Sequence, residues 1–349
     1  MHFSTLFYLT SGLFLGWALG ANLMGNVFGT AVGSRMIKFP TAAVICSIFV
    51  VLGAVIGGSD AAHTIGKLAV IETLAGAFVA AFAAGLSVFV MTKIGIPVST
   101  TQAIFGSILG WSLFTGKSAD MDSVLKVFSA WIASPILAAT FSVILMLSIK
   151  LIFKKFPIPM LYMDLYTRIA LIIAGAFGAY SLGANNIANV MGVFVKSSPL
   201  PQLTLFDFLT LAPEQVLFLL GGLAIAVGVI TYSKKVIQTV GSGLLDLSPI
   251  AAWVVVMAHS LVLFIFSSKE LKNFLIEHNL PPIPLVPVSS SEAVIGAIIG
   301  IALLQKGSGL RWKSLSHIGL AWITSPIISC SVCFVSMYIM QNVFNQKVF

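Results

Sequence analysis

Charged residues are scarce in this chain of 349 residues: Asp, Glu, Lys and Arg together make up only 9% of it. Hydrophobic residues make up 58%, and the mean hydropathy is +1.04. This apolar share is far above that of ordinary soluble domains. Apolar runs near or beyond the length needed to cross a bilayer recur at roughly 39–58, 69–92, 129–149, 166–183, 214–232, 249–267 and 318–340, with a first run from Leu13 to Val32. The composition predicts an all-α, multi-pass protein of the cell membrane.

Cysteine is also rare, and no enzyme signature is present. The three cysteines, Cys46, Cys330 and Cys333, all fall in apolar runs. An odd, buried set is no disulfide framework, and the Cys-x-x-Cys spacing lacks the βαβ context of a redox motif, so we expect packing residues. There is no His-Glu-x-x-His motif of a metalloprotease. We therefore expect neither enzymatic activity nor a cofactor.

Acidic residues are few, 11 against 19 basic ones, which gives a net charge of +8. The basic residues occupy short connections between apolar runs, the usual signature of cytoplasmic-side loops, so nucleic-acid binding is not expected. No Lys or Arg precedes the first apolar run, so we expect that run to be retained rather than cleaved as a signal.

Two short polar segments stand out against this background, and they are 190 residues apart: 97–102 (Pro-Val-Ser-Thr-Thr-Gln) and 287–292 (Pro-Val-Ser-Ser-Ser-Glu). Hydroxyl residues after a proline are typical of a helix N-terminus, which attracts anions through its free N–H groups and its dipole. At membrane depth, such a broken helix is tolerated only where it lines a cavity or is buried in protein. The pattern predicts two anion-binding helix tips, and the alternative is a pair of caps in loops.

Further matched segments follow in the same order, which indicates an internal duplication. They pair 20–29 with 183–192, 64–66 with 239–241, and 131–136 with 322–327. We expect two transmembrane halves, 1–155 and 156–349, divided at the basic and proline-containing connection 154–159. Duplication with paired broken segments is the layout of secondary transporters, which bind substrate near the midplane.

The duplication predicts the polytopic helical fold of a transporter with two inverted repeats. Each repeat contains one discontinuous or re-entrant helix segment, near 97–116 or 287–306. The stretch 268–286, with its charges and prolines, is expected to be an aqueous loop.

Two asparagine pairs recur in the duplicated segments 20–29 and 183–192. Asn22 and Asn26 are four residues apart, as are Asn185 and Asn189, so each pair shares one helix face. An amide in hydrocarbon is costly unless it has a partner. Recurrence in both halves favours a role in lining the site, and the alternative is hydrogen bonding between helices.

The Gly-Ala-Asn and Pro-Val-Ser segments together resemble those of the inorganic phosphate transporter family, and the likeness covers nearly the whole chain. It implies a membrane symporter for phosphate or a similar oxyanion, a homodimer in which hydroxyl segments hold the anion and Asn-Asp segments bind sodium beside it. On this resemblance the substrate-binding residues are Ser99, Thr100, Thr101, Ser289, Ser290, Ser291, Asn22, Asn26, Asn185 and Asn189, with Gln102 and Asn186 around them.

The departures from the family pattern change the expected substrate. Leu23 and Asn186 replace the motif aspartates, and Val50 and Val256 stand where glutamates are expected. These losses remove the anionic oxygens that would hold sodium. The chain is similar to a smaller branch that lacks these acids and has Ser-Glu after the second Pro-x-Ser, which implies a sulfate permease. Sulfate is the expected substrate, and sodium-coupled phosphate symport is the alternative.

Glu292 is the only acid in either signature segment, and neither segment contains Lys or Arg. Sulfate accepts hydrogen bonds only, so neutral donors suffice, whereas phosphate can also donate. Desolvation and a nearby dianion both favour the protonated form of Glu292. Our hypothesis makes it the proton carrier of a proton/sulfate symporter, and the alternative is a helix cap. An anion channel fits less well, because paired broken helices favour an occluding site. His259 lies inside an apolar run, where we expect it to bind a backbone carbonyl; the alternative is a functional role for an ionisable residue in the membrane.

Overall fold

The computed structural model describes residues 3–68, 71–156, 159–197, 200–205 and 209–349. These residues are mostly helical, and two short strands are the only strands among them, in agreement with the predicted all-α fold. The helices are α1 Phe3–Gly33, α2 Phe39–Gly57, α3 Ser59–Leu68, α4 Leu74–Lys93, α5 Thr100–Thr115, α6 Met121–Lys155, α7 Met160–Met191, α8 Pro213–Tyr232, α9 Lys234–Ser242, α10 Pro249–Ile265, α11 Lys269–Glu277, α12 Ser290–Leu304 and α13 Trp312–Asn342. A 3-10 helix, Gly192–Phe194, follows α7, and strands β1 Leu203–Leu205 and β2 Leu209–Leu211 pair as an antiparallel hairpin.

Seven helices in the described part of the chain are long and apolar enough to cross a membrane: α1, α2, α4, α6, α7, α8 and α13. α10 and α11 together form a further candidate, bent by 65°. Only 17% of the most apolar window of α6 is buried, and Ile132 and Ile136 are exposed on its surface. So much exposed apolar surface requires lipid around it. The predicted multi-pass membrane protein is confirmed.

Three sequence predictions need comment. The predicted aqueous loop 268–286 is wrong over Lys269–Glu277, which is helix α11. Ser268 begins this helix, because its Oγ accepts a hydrogen bond from the Leu271 N–H at 3.1 Å, and the first proline of the stretch comes only at Pro281. The predicted boundary connection 154–159 includes residues 157 and 158, and the predicted run 69–92 begins with residues 69 and 70; these four lie outside the described residues.

Helices α5 and α12 are too short to cross the bilayer alone. With 16 and 15 residues they span about 24 and 23 Å at roughly 1.5 Å per residue, against a hydrocarbon core of about 30 Å. α5 packs against α4 and α13, and α12 packs against α6 and α10. Each short helix therefore packs on a long helix that is distant in the sequence: α5 on α13, and α12 on α6.

Glycines bring the two short helices against the proline-containing part of those long helices. Gly106 of α5 lies against the backbone of Pro326 in α13, and Gly296 of α12 lies against the backbone of Pro135 in α6. A Cβ at either glycine would overlap a carbonyl oxygen. The matched segments 131–136 and 322–327 are thus the surfaces that receive the two short helices.

The helix bundle has two ends of different composition. We call the end that carries the β1–β2 hairpin the hairpin end; there Asp120 N–H donates to Leu68 O, and the Thr64 hydroxyl donates to Leu285 O. We call the other the basic end; there Lys235 Nζ donates to Lys93 O. Exposed cations cluster in the basic-end connections: Arg35, Lys38, Lys93, Lys154, Lys155, Lys234, Lys235, Lys306, Arg311 and Lys313.

Candidate functional site

The two Pro-Val-Ser segments become the capped starts of α5 and α12. Ser99 Oγ accepts from the Gln102 N–H at 3.2 Å, and Ser289 Oγ accepts from the Glu292 N–H at 3.3 Å. Both serines are buried. The predicted helix N-termini are confirmed, and each leaves first-turn N–H groups without an acceptor in its own helix. We refer to residues 97–102 and 287–292 as the first and second tips.

Asn22 holds the first tip from α1. Its Oδ1 accepts from the Val98 N–H at 3.2 Å, and its Nδ2 donates to Ile96 O at 3.2 Å, on the two sides of Pro97. Nδ2 is also 3.2 Å from the Thr92 hydroxyl. The amide therefore replaces the backbone partners that an extended, proline-containing segment cannot find in a helix.

Asn185 holds the second tip in the same way from α7. Its Oδ1 accepts from the Val288 N–H at 2.8 Å, and its Nδ2 donates to Val286 O at 3.1 Å. Both polar atoms of Asn22 and of Asn185 therefore bind the backbone at or beside the tips. From the sequence, we predict substrate binding for both residues.

The other member of each asparagine pair reaches a tip hydroxyl that lies distant in sequence. Asn26 Nδ2 donates to Ser290 Oγ at 3.1 Å, and Asn189 Nδ2 donates to Thr101 Oγ1 at 2.9 Å. The Thr101 hydroxyl in turn donates to Val288 O at 3.1 Å. All of these side chains are buried. The structure thus brings the first tip, the second tip and both asparagine helices into one hydrogen-bonded cluster.

The two tips also touch through their last residues. Gln102 Nε2 donates to Glu292 Oε1 at 2.5 Å, and Glu292 is 5% exposed. Within the described ranges, no Lys, Arg or Asp is buried to the same degree. The carboxyl group of Glu292 therefore lies in the protein interior beside the Gln102 amide, and no Lys or Arg of the described residues pairs with it.

His259 of α10 belongs to the same cluster, and the sequence prediction of its partner is wrong. Its Nε2 lies 2.9 Å from Ser290 Oγ rather than against a backbone carbonyl, and the residue is 0% exposed. Ser290 Oγ therefore contacts both Asn26 and His259. The sequence feature that could have indicated a place in this cluster is that His259 is an ionisable residue inside an apolar run.

The remaining predicted residues lie in or beside the cluster. Thr100 is buried in the first turn of α5, and Ser291 Oγ is 3.3 Å from Ser289 Oγ. Asn186 Oδ1 accepts from Asn189 Nδ2 at 2.9 Å. Leu23, Val50 and Val256 are buried apolar residues where the family resemblance implied acids.

Several buried polar atoms of the cluster make no hydrogen bond to any part of the chain that is described. They are Asn26 Oδ1, Gln102 Oε1, Asn186 Nδ2, Asn189 Oδ1, His259 Nδ1 and Glu292 Oε2. An unsatisfied buried polar group costs about 1–3 kcal/mol, so their concentration at one place points to a polar ligand. No group of three or more His, Cys, Asp or Glu side chains that could hold a metal ion occurs within the described ranges.

These features define a multi-pass helical membrane protein with a buried polar cluster at two helix starts. The family profile described as "Phosphate transporter family" matches residues 19–271 and 285–348. The chain belongs to this family, whose members are permeases for phosphate or sulfate, so its expected substrate class is an inorganic oxyanion.

The names of similar proteins mention both phosphate and sulfate. The chain is 25% identical to "Putative phosphate permease MJ0630" of Methanocaldococcus jannaschii, over 94% of this chain and 95% of that protein. It is 28% identical to "Sulfate permease CysP" of Bacillus subtilis, over 95% of this chain and 88% of that protein. A solved structure, "The sodium-dependent phosphate transporter", matches with a TM-score of 0.77 and 20% identity over 97% of this chain and 98% of that chain. The structural likeness concerns the fold.

Proposed function

We propose that the protein is a secondary active transporter that imports sulfate together with protons. The observation that carries this proposal is the contact of the two tips: two helix starts meet in the interior, joined by Gln102 and Glu292, with no buried Lys, Arg or Asp in the described ranges. Helix starts with free N–H groups favour anions. A fully ionised tetrahedral oxyanion needs only donors, and the tips supply hydroxyl and backbone N–H groups.

We propose further that residues 1–155 and 156–349 are inverted repeats, with α5 and α12 as re-entrant helices. The course of the two short helices supports this. α5 runs from its tip to the hairpin end, where Asp120 N–H meets Leu68 O. α12 runs from its tip to the basic end, where Arg311 N–H meets Leu244 O. Such an arrangement around one central site suits alternating access.

The distribution of basic residues supports an orientation with the basic end in the cytoplasm, because short cytoplasmic connections are enriched in Lys and Arg. The hairpin end then faces outward, where substrate would enter. We also propose a homodimer, as the family resemblance implies. Mass measurement of the detergent-solubilised protein by light scattering would test this.

Glu292 is the proposed proton carrier. Its carboxyl group is buried, and a dianion at the tips would add a like charge nearby; both effects favour the protonated acid. Proton uptake and sulfate binding would then assist each other, and release of the proton to the cytoplasm would expel the anion. The alternative is a helix cap, which requires a hydrogen bond to an N–H at the start of α12; instead, Oε1 accepts from Gln102, and Oε2 has no donor in the described part of the chain.

Sodium-coupled phosphate symport is the second candidate function. Phosphate appears in the names of the family, of a relative and of the matching structure. In addition, Asn26 Oδ1 and Asn189 Oδ1 are buried oxygens without a donor in the described part of the chain, and amide oxygens are suitable ligands for hard cations. Leu23 and Asn186, in place of two carboxylates, weigh against this candidate.

Transport by the purified protein in proteoliposomes distinguishes the candidates. We expect uptake of labelled sulfate that is driven by an inward proton gradient and is unaffected by a sodium gradient. Uptake of phosphate that requires sodium would overturn both the substrate and the coupling. The variant Glu292→Gln should abolish acceleration by the proton gradient, whereas Glu277→Gln, at an exposed position of α11, should leave it unchanged. Retained proton coupling in Glu292→Gln would contradict its role.

A further inference from the structure

A solvated cavity of about 530 Å³ opens at the hairpin end. Three lysines from three different helices line it: Lys67 of α3, Lys126 of α6 and Lys272 of α11. Asp60 is the one carboxylate among the described lining residues, and Asp120 lies behind the lining, where it accepts from Ser123. The described lining therefore carries more positive than negative side chains, whereas the tips contain no Lys or Arg.

The floor of this cavity is the segment that leads into the second tip. Thr64 of α3, which lines the cavity, donates to Leu285 O at 2.8 Å. The next residue, Val286, also lines the cavity, and its carbonyl accepts from Asn185 Nδ2. Ser289, the cap of α12, follows three residues later. The cavity thus ends within a few residues of the polar cluster on the outward side of the proposed orientation.

We propose that this cavity is an access vestibule, in which Lys67, Lys126 and Lys272 attract and weakly bind the oxyanion before it reaches the tips. The inference rests on the proposed import of an oxyanion. The cavity and the tips would then have different roles. Lysines in a solvated cleft raise the local concentration of an anion without dehydrating it, and the neutral donors of the tips then bind it without a fixed charge that would hinder its release.

Clefts of one charge sign raise on-rates by roughly 10- to 1,000-fold, and the effect is screened by salt with a Debye length of about 10 Å at 0.1 M. In proteoliposomes at low ionic strength, we expect the triple variant K67Q/K126Q/K272Q to raise the KM for sulfate about tenfold or more, with kcat unchanged. For the wild type, added potassium gluconate should raise KM. For the variant, KM should be nearly independent of this salt.

Two matched variants control the comparison. K67R/K126R/K272R keeps the charge and should keep the wild-type KM, whereas K154Q/K155Q/K313Q removes three exposed lysines from the basic end and should leave external KM unchanged. The liposomes are made of zwitterionic lipid alone in one arm and include anionic lipid in another. A salt effect confined to the anionic liposomes would assign the lysines to lipid headgroups and overturn the vestibule.

Failure of the vestibule and failure of the proposed function give different results. If wild-type protein imports sulfate and the Gln triple variant has the same KM and the same salt dependence, the vestibule is wrong and the transport function stands. If wild-type protein imports phosphate and not sulfate, the proposed substrate is wrong, and the same variants test the vestibule with labelled phosphate.

Discussion

Asn185 offers a direct test of how the second tip is held. The substitution Asn185→Ala removes the donor to Val286 O and the acceptor for the Val288 N–H, and both of these backbone groups are in the interior. Each backbone group left unsatisfied costs about 1–3 kcal/mol, so about 2–6 kcal/mol is lost in holding the segment that begins α12. A factor of ten in affinity corresponds to about 1.4 kcal/mol. We therefore expect sulfate affinity to fall at least tenfold.

Measurements on the ligand-free protein distinguish a positioning role of Asn185 from direct contact with the anion. If Asn185 positions the tip, Asn185→Ala lowers the melting temperature of ligand-free protein, and the amide of Val288 exchanges hydrogen faster. If it only contacts the anion, neither changes. Asn342→Ala is the matched control, since Asn342 Nδ2 also donates to a backbone carbonyl, that of Tyr338, but at an exposed position. Wild-type sulfate affinity in Asn185→Ala, measured by scintillation proximity, would refute the reasoning.

Two further substitutions test the packing and the polar cluster. Gly296→Ala places a Cβ against the Pro135 backbone, and overpacking costs about 1–3 kcal/mol, so it should lower the melting temperature. Gly319→Ala, whose added Cβ would have no atom of another packed segment within 4 Å, should not. His259→Leu removes one partner of Ser290 and should weaken sulfate binding about 2- to 12-fold, from roughly 0.5–1.5 kcal/mol per hydrogen bond. His259→Gln should recover much of this affinity by keeping a donor there, and equal losses in both variants would contradict a hydrogen-bonding role.

The duplicated pattern identified the two segments that meet in the structure. Gln102 and Glu292 occupy equivalent positions of these segments, 190 residues apart, and they form a hydrogen bond. Helical spacing placed Asn22 and Asn26 on one face, but it could not distinguish their partners. Asn22 lies beside the backbone on either side of Pro97, and Asn26 lies beside Ser290, and only the path of the tips through the bundle decides which amide meets which.

Residues without a matched counterpart were harder to interpret. His259 has no equivalent in the first half that the sequence comparison identified, so the expected backbone partner was a general rule applied to a particular site. Its actual partner, Ser290, belongs to a different helix and depends on how α10 packs against α12. Likewise, α11 was taken for a loop because the prolines that follow it dominate the local composition, although its own nine residues contain none.

If the proposed coupling to protons holds, the charge carried by each transport cycle depends on how many buried groups can carry a proton. In the described part of the chain, Glu292 and His259 are the buried side chains of the Asp, Glu, His, Lys and Arg types, so at most two protons can travel on them with one sulfate dianion. One proton leaves a net charge of −1, which an inside-negative potential opposes by about 2.3 kcal/mol per 100 mV, or roughly 50-fold in accumulation. Two protons make the cycle neutral. With one proton, we expect a clamped potential of about −100 mV to lower sulfate accumulation. With two protons, we expect no change in the wild type, and His259→Gln, which removes one of the two proton-carrying groups, should make accumulation fall at this potential. Accumulation that increases at this potential requires net positive charge, which these two groups cannot supply, and would favour a cation-coupled cycle.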